Sequence, residues 1–217
     1  MNSTSSPHFD HYVGALSIET AEGGIDALQA NATRLARDAK LLLHARRNSS
    51  AAMLGVMAIA ELSRLPDLLD LATRDDGPSL KSAWRRFRGE GHPFPWVIFQ
   101  AAAQKVGEDY LNTLIELMKH VGCRVECAIP GAWLSPDDLI SRPLAEALVN
   151  TAEMLCAQQI DLRAARLWIQ VVRSLPKTVS TKRTLEAYRA ALVSAGMNLE
   201  AGTVEALLKS PNAMRSV

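Results

Sequence analysis

The residues best suited to chemistry lie in one short segment that combines cationic side chains with a histidine. Lys81, Arg85 and Arg88 recur at helical spacing, so on a helix they form one basic stripe, which we expect to bind RNA phosphates. An arginine holds a phosphate through paired hydrogen bonds, and a histidine transfers protons near neutral pH. Arg86 or Arg85, followed by His92, therefore supplies the groups that metal-free phosphodiester cleavage by a 2′-hydroxyl requires.

The same segment has a simpler interpretation, in which a solvated basic helix is followed by an incidental loop histidine. Trp84 and Phe87 predict that one side of this helix faces the protein interior. Gly89 and Gly91 interrupt the helical pattern just before His92. The spacing alone leaves both interpretations open.

A second polar pair follows the most apolar stretch of the chain, Ala51 to Ala60. Glu61 and Arg64 are three residues apart, so on a helix they share a face and can form an ion pair. One interpretation is a salt bridge that closes the end of the helix. The other is a polar pair at the mouth of the core that orients the arginine and histidine of the candidate catalytic site.

The overall composition is that of a globular protein. The 217 residues carry 24 Lys and Arg against 23 Asp and Glu, and 48% are hydrophobic. These values exclude a disordered or collagen-like chain, and a net charge of +1 argues against extensive coating of nucleic acid. The N-terminus resembles no secretory signal, and no apolar run reaches the length of a membrane span, so we expect a cytoplasmic protein without membrane contact.

No motif in the chain indicates a metal or a cofactor. The three cysteines, Cys123, Cys127 and Cys156, have the spacing of neither a disulfide framework nor a zinc knuckle, which favours a reducing compartment. The chain lacks a Walker loop, a Gly-x-Ser-x-Gly elbow and the Glu-x-x-His pairs of carboxylate-bridged sites. The acidic residues between 67 and 76 are better explained as polar helix ends than as a magnesium site.

Hydrophobic periodicity predicts an all-α protein, a bundle of about six or seven helices with a short irregular segment near 123–142. We expect a flexible N-terminal arm at 1–18 and a single helical domain at 19–217. The helices are predicted at about 20–48, 50–73, 79–88, 95–121, 143–174, 181–195 and 201–209. Pro66 kinks the second or starts a new one, and small residues such as Gly55 predict close approach of a neighbouring helix. In the irregular segment, alternation from Val125 to Ile129 predicts a short strand or extended loop.

Several of these residues together resemble the AbiV-type abortive infection proteins of bacteria. The similar positions are Asn31-Ala32, Leu35, Asp38-Ala39, Leu42, Ala51-Ala52, Ala58 to Arg64, Trp84 to Arg88, His92, and Val125 to Pro136. The resemblance covers about residues 25–155. Ala60 stands where that family has a glutamate, Arg64 replaces a lysine, and Pro93-Phe94-Pro95 replaces basic residues after the histidine.

The resemblance implies phage defence by a HEPN-like (higher eukaryotes and prokaryotes nucleotide-binding) helical domain. Many such domains are metal-independent ribonucleases with an Arg-x(4–6)-His motif, and both Arg86-x5-His92 and Arg85-x6-His92 fit that spacing. Two copies of the motif usually meet across a dimer, which implies a homodimer here. The alternative is a non-catalytic helical module that binds a phage or host protein, and the replacement at Ala60 favours it.

Overall fold

The computed structural model describes residues 12–75, 77–88, 126–129 and 132–209. These residues form α1 (Ile18–His44), α2 (Asn48–Leu62), α3 (Leu65–Ala72), α4 (Gly77–Phe87), β1 (Glu126–Ile129), β2 (Ala132–Leu134), α5 (Pro136–Leu139), α6 (Arg142–Cys156), α7 (Leu162–Ser174), α8 (Thr181–Ser194) and α9 (Asn198–Lys209). The all-α class predicted from the sequence is confirmed. The helix predicted at 95–121 lies outside the described residues.

The central helix α2 packs between α1 and α6 because its sequence offers almost no bulky polar side chain to keep it apart. A Cβ atom at Gly55 would lie only 3.3 Å from the backbone carbonyl of Leu148 on α6, closer than most such contacts. Ala51, Ala52 and Ala58 are fully buried on the same helix. The close approach expected from these small residues is therefore present, and the glycine allows it.

Two of the predicted helices are each divided in two. The chain turns at Ser63 and Arg64, and Pro66 occupies the first turn of α3, where its missing N–H costs nothing. The predicted helix 143–174 is wrong as one element, because α6 ends at Cys156 and α7 begins after Asp161. The Asp161 carboxylate accepts a 2.7 Å hydrogen bond from the backbone N–H of Arg163, so it caps a new helix.

The irregular segment contains a short antiparallel hairpin. β1 pairs with β2, with Cys127 opposite Trp133 and Glu126 opposite Leu134, and the register shifts after Cys127. The single-turn helix α5 follows, and Ser135 and Asp138 form a capping box at its start. Alternation along residues 125–129 thus predicted the first of the two strands.

Two adjoining clusters of apolar side chains form the core between α1, α2, α3, α4 and α6. The helices α8 and α9 bury a smaller cluster of their own, built on Leu192, Met197, Ala201 and Val204. Among residues 12–17, which the sequence assigned to the flexible arm, the Leu16 side chain is buried in the core, whereas Tyr12 and Val13 are exposed. None of the described helices combines the length and apolar character that crossing a bilayer requires.

Candidate functional site

The α4 helix positions the basic residues because its apolar positions face the core. Leu80, Ala83 and Trp84 are buried, whereas Lys81 and Arg85 are exposed on the opposite side. The indole N–H of Trp84 donates a 2.9 Å hydrogen bond to the carbonyl of Gly14, which fixes the helix against the N-terminal segment. This packing determines which cations of the segment reach solvent.

Lys81 and Arg85 define what we call the outer face of α4. Neither side chain forms a hydrogen bond or an ion pair with another residue in the described part of the chain. Arg88, the third member of the predicted stripe, is half-buried and donates a 2.6 Å hydrogen bond to the carbonyl of Tyr12. Its guanidinium also lies 5.2 Å from the centroid of the Trp84 ring. Two of the three predicted phosphate-binding cations are therefore available to a ligand.

Arg86 points to the other side of α4, into what we call the α3–α4 charge cluster, formed by Asp67, Asp70, Arg74 and Arg86. Its Nε lies 3.4 Å from Oδ1 of Asp67, and its Nη2 pairs with the carboxylate of Asp70. Asp70 also accepts two hydrogen bonds from Arg74, at 2.9 and 2.8 Å. The Arg86 side chain is only 28% exposed, and the carboxylates of Asp67 and Asp70 match its charge within the fold.

Glu61 and Arg64 form the ion pair that their spacing predicted, with 3.1 Å between the Arg64 Nη1 and the Glu61 Oε2. The Arg64 Nε donates a 3.1 Å hydrogen bond to the carbonyl of Phe87, the last residue of α4. The guanidinium also lies over the Phe87 ring, 4.2 Å from its centroid. The pair therefore joins the end of α2 to the end of α4, next to Arg86.

His92 lies outside the described residues, so the structure does not describe its distance from either arginine. Within the described ranges, no group of three or more His, Cys, Asp or Glu side chains has the arrangement of a metal site. The acidic residues considered for magnesium instead hold arginines, since Asp67 and Asp70 belong to the charge cluster. The sequence contained one signal of this role, the i, i+4 spacing of Asp70 and Arg74.

A second basic tract, at 163–189, is largely engaged within the protein. Arg166 of α7 forms two hydrogen bonds with Glu22 of α1, at 2.7 and 2.5 Å. These bonds hold the pKa of Glu22 below its ordinary value and that of Arg166 above it. Arg189 pairs with Glu205 at 3.3 Å. The tract thus connects helices, and it offers no continuous row of unpaired cations.

The family model HEPN_AbiV, described as AbiV, matches residues 20–92, about one third of the chain. The match covers α2, α3, α4 and all but the first two residues of α1, and with them every candidate site residue. No curated protein and no solved structure matches the chain. Residues 20–92 are therefore similar to the AbiV family, and this similarity confirms over that range the resemblance read from the sequence.

Proposed function

We propose that this protein is a metal-independent endoribonuclease that halts growth or translation on phage infection. The match over residues 20–92 supports an abortive-infection, HEPN-type function. We extend this function to ribonuclease activity. The observation that carries it is the exposed, unpaired guanidinium of Arg85, which stands at motif spacing from His92 inside the matched region.

In this proposal Arg85, more than Arg86, binds the scissile phosphate. The Arg85 side chain has its donors free of other described residues, whereas Arg86 is paired with Asp67 and Asp70. A guanidinium in solvent gives two parallel hydrogen bonds to the phosphate oxygens, and these strengthen as negative charge develops in the transition state. Lys81, one turn away on the same face, adds a further phosphate contact.

His92 moves the protons of the reaction. It accepts the proton of the 2′-hydroxyl, whose oxygen then forms a bond to phosphorus while the bond from phosphorus to the 5′-oxygen breaks. The proton is returned to the 5′-oxygen, so the products are a 2′,3′-cyclic phosphate and a 5′-hydroxyl. Every atom and proton is accounted for without a metal.

Arg86, Glu61 and Arg64 act as positioning residues. Arg64 holds the carbonyl of Phe87, and Arg86 holds α3, so the end of α4 that carries Arg85 is connected to two other helices. A rigid support of this kind reduces the motion of the phosphate-binding group. We further propose that the protein acts as a cytoplasmic homodimer in which two copies of the motif contribute to RNA binding.

The direct test is cleavage of total bacterial RNA by the full chain in the presence of EDTA. We expect wild type to cleave and His92→Ala to lose cleavage and toxicity while keeping its melting temperature. His44→Ala is the matched control, since His44 is an exposed histidine at the end of α1, away from α4. Folded wild-type protein that leaves RNA intact would contradict the proposal, as would a fully active His92→Ala variant.

A second candidate function is a non-catalytic module that binds a phage or host protein. The observation that favours it is the pairing of Arg86 within the charge cluster, which leaves one motif arginine unavailable to a substrate. This alternative predicts that His92→Ala still arrests growth and that RNA remains intact in arrested cells. The same set of variants therefore separates the two functions.

A further inference from the structure

The solvent side of α1 carries a row of residues that the other described elements leave exposed. Gly23, Asp26, Ala30, Arg37 and Leu41 follow one another at intervals of three, four and seven residues, so they lie along one line of the helix. All five are exposed, and Leu41 is 62% exposed although it is apolar. We call this row the α1 stripe. It faces away from the buried positions of the same helix.

The charge of the α1 stripe changes sign along its length. Asp26 lies towards the N-terminal end and Arg37 towards the C-terminal end. Neither side chain forms a hydrogen bond or an ion pair with another residue in the part of the chain that the structure describes. The charged side chains that flank the stripe are engaged within the protein, in the ion pairs Glu22–Arg166, Arg34–Asp38 and Lys40–Glu153. One acid and one base of the stripe therefore remain for an external partner.

The uncharged members of the stripe suit the approach of a second helix. Ala30 carries only a methyl group, and a Cβ atom added at Gly23 would have no heavy atom within 4 Å. Leu41 projects its larger apolar side chain into solvent. Helices pack by placing projecting side chains of one into the depressions of the other. The stripe therefore offers both a depression, at Gly23, and a projection, at Leu41.

The order of these residues is complementary to itself when two copies of α1 lie antiparallel. If the helices cross midway between residues 31 and 32, Asp26 lies level with the partner subunit's Arg37, because the two are equally far from the crossing point. Gly23 then lies within one residue of the level of the partner subunit's Leu41. A two-fold axis repeats both contacts. A parallel pair would instead bring like charges together, so the charge order favours the antiparallel arrangement.

We propose that two copies of this chain associate through the α1 stripe as an antiparallel helix pair. Asp26 pairs with the partner subunit's Arg37, and Leu41 packs over the partner subunit's Gly23. The stripe contains no residue of the Arg-x(4–6)-His motif, so this contact differs from one in which two motifs meet. It rests on the homodimer of the proposed function but not on RNA cleavage. One helix pair is small for a specific interface, so we expect association at micromolar concentration.

Sedimentation velocity of the full chain in the absence of RNA tests this surface by charge reversal. Asp26→Arg and Arg37→Asp should each raise the dissociation constant of the dimer by about tenfold or more, because each creates two like-charge contacts across the axis. A mixture of the two variants should form heterodimers with an affinity close to that of wild type, since both contacts then join opposite charges again. A general loss of structure would not be rescued by mixing.

Gly23→Leu tests the apolar contact, because its side chain would fill the space that the partner subunit's Leu41 occupies. The dimer should weaken. Gly202→Leu is the matched control, since Gly202 is also an exposed helical glycine with open space around its Cβ position, and this variant should sediment as wild type does. Glu186→Arg, at an exposed position on α8, is the corresponding control for Asp26→Arg.

The outcomes separate this proposal from the proposed function. A dimer that none of the α1 variants weakens would overturn the α1 surface and leave the homodimer to another contact. Variants that become monomeric but form no heterodimers would overturn the antiparallel pairing. Wild type that stays monomeric at high micromolar concentration would overturn this surface and the homodimer together. RNA cleavage is measured independently of these results, so its failure would leave the α1 surface in place.

Discussion

The outer face of α4 and the α3–α4 charge cluster lie on different sides of the same helix and use adjacent arginines in opposite ways. Arg85 faces solvent and has no hydrogen-bonding partner among the described residues. Arg86 is enclosed by Asp67 and Asp70, and the second of these carboxylates also holds Arg74. Two arginines that are neighbours in the sequence therefore differ in role: Arg85 is available to a ligand, and Arg86 is neutralised by carboxylates.

The difference shows that a motif arginine is not automatically a ligand-binding arginine. To bind a phosphate, Arg86 would first have to give up its carboxylate partners, and the partly buried carboxylates would be left without their counter-charge. Arg85 can bind a phosphate without giving up any partner among the described residues. The comparison therefore supports our proposal that RNA binds at the outer face of α4, whereas the α3–α4 charge cluster supports the helix.

The largest expected effect separates the two arginines directly. Arg85→Gln should lower the rate of RNA cleavage by about 10²-fold, as removal of one donor to a developing anion does, without changing the melting temperature. Arg86→Gln should instead lower the melting temperature by about 2–4 °C. Cleavage rates and thermal melts of both variants measure this division, and an unchanged melting temperature for Arg86→Gln would contradict it.

A double-mutant cycle of Asp70→Asn with Arg86→Gln sharpens the comparison at the level of stability. We expect a coupling free energy of about 0.5–1 kcal/mol, reduced by solvent because both side chains are about one third exposed. The control cycle combines Asp70→Asn with Arg85→Gln. The effects of these two substitutions on the free energy of urea unfolding should be additive. Significant coupling of Asp70 to Arg85 would show that the two faces are not independent.

The smallest effect concerns an ion pair outside α4, between Glu22 and Arg166. Hydrogen bonding to Arg166 lowers the pKa of Glu22, so the stability that this pair contributes is present above the ordinary value of 4.5 and is lost as pH falls through the lower folded value. The melting temperature of wild type should therefore fall further on acidification than that of Glu22→Gln. Glu186→Gln changes an exposed position on α8, and its melting temperature should fall with pH as that of wild type does. Parallel curves of melting temperature against pH for wild type and Glu22→Gln would contradict this role.

Much of the fold was predictable because it follows local rules. Pro66 indicated the break between α2 and α3, Gly55 indicated the close approach of α6, and the i, i+3 spacing of Glu61 and Arg64 indicated their ion pair. The division between α6 and α7 was missed, because Leu155 and Leu162 lie seven residues apart and preserve a helical period across the loop. The Asp161 cap was the local signal that separated them.

The pattern of residues along the chain was sufficient to specify the all-α class, the amphipathic α4 and the set of cations that it carries, because these depend on spacing within one helix. Three features arise only in the tertiary structure: the neutralisation of Arg86 by α3, the contact of Arg64 with Phe87, and the placing of Arg173 beside Ala72. Each joins residues that are far apart in the sequence. Charge pairing falls off with distance in space, and distance in space between helices is decided by packing of the core, which no local spacing encodes.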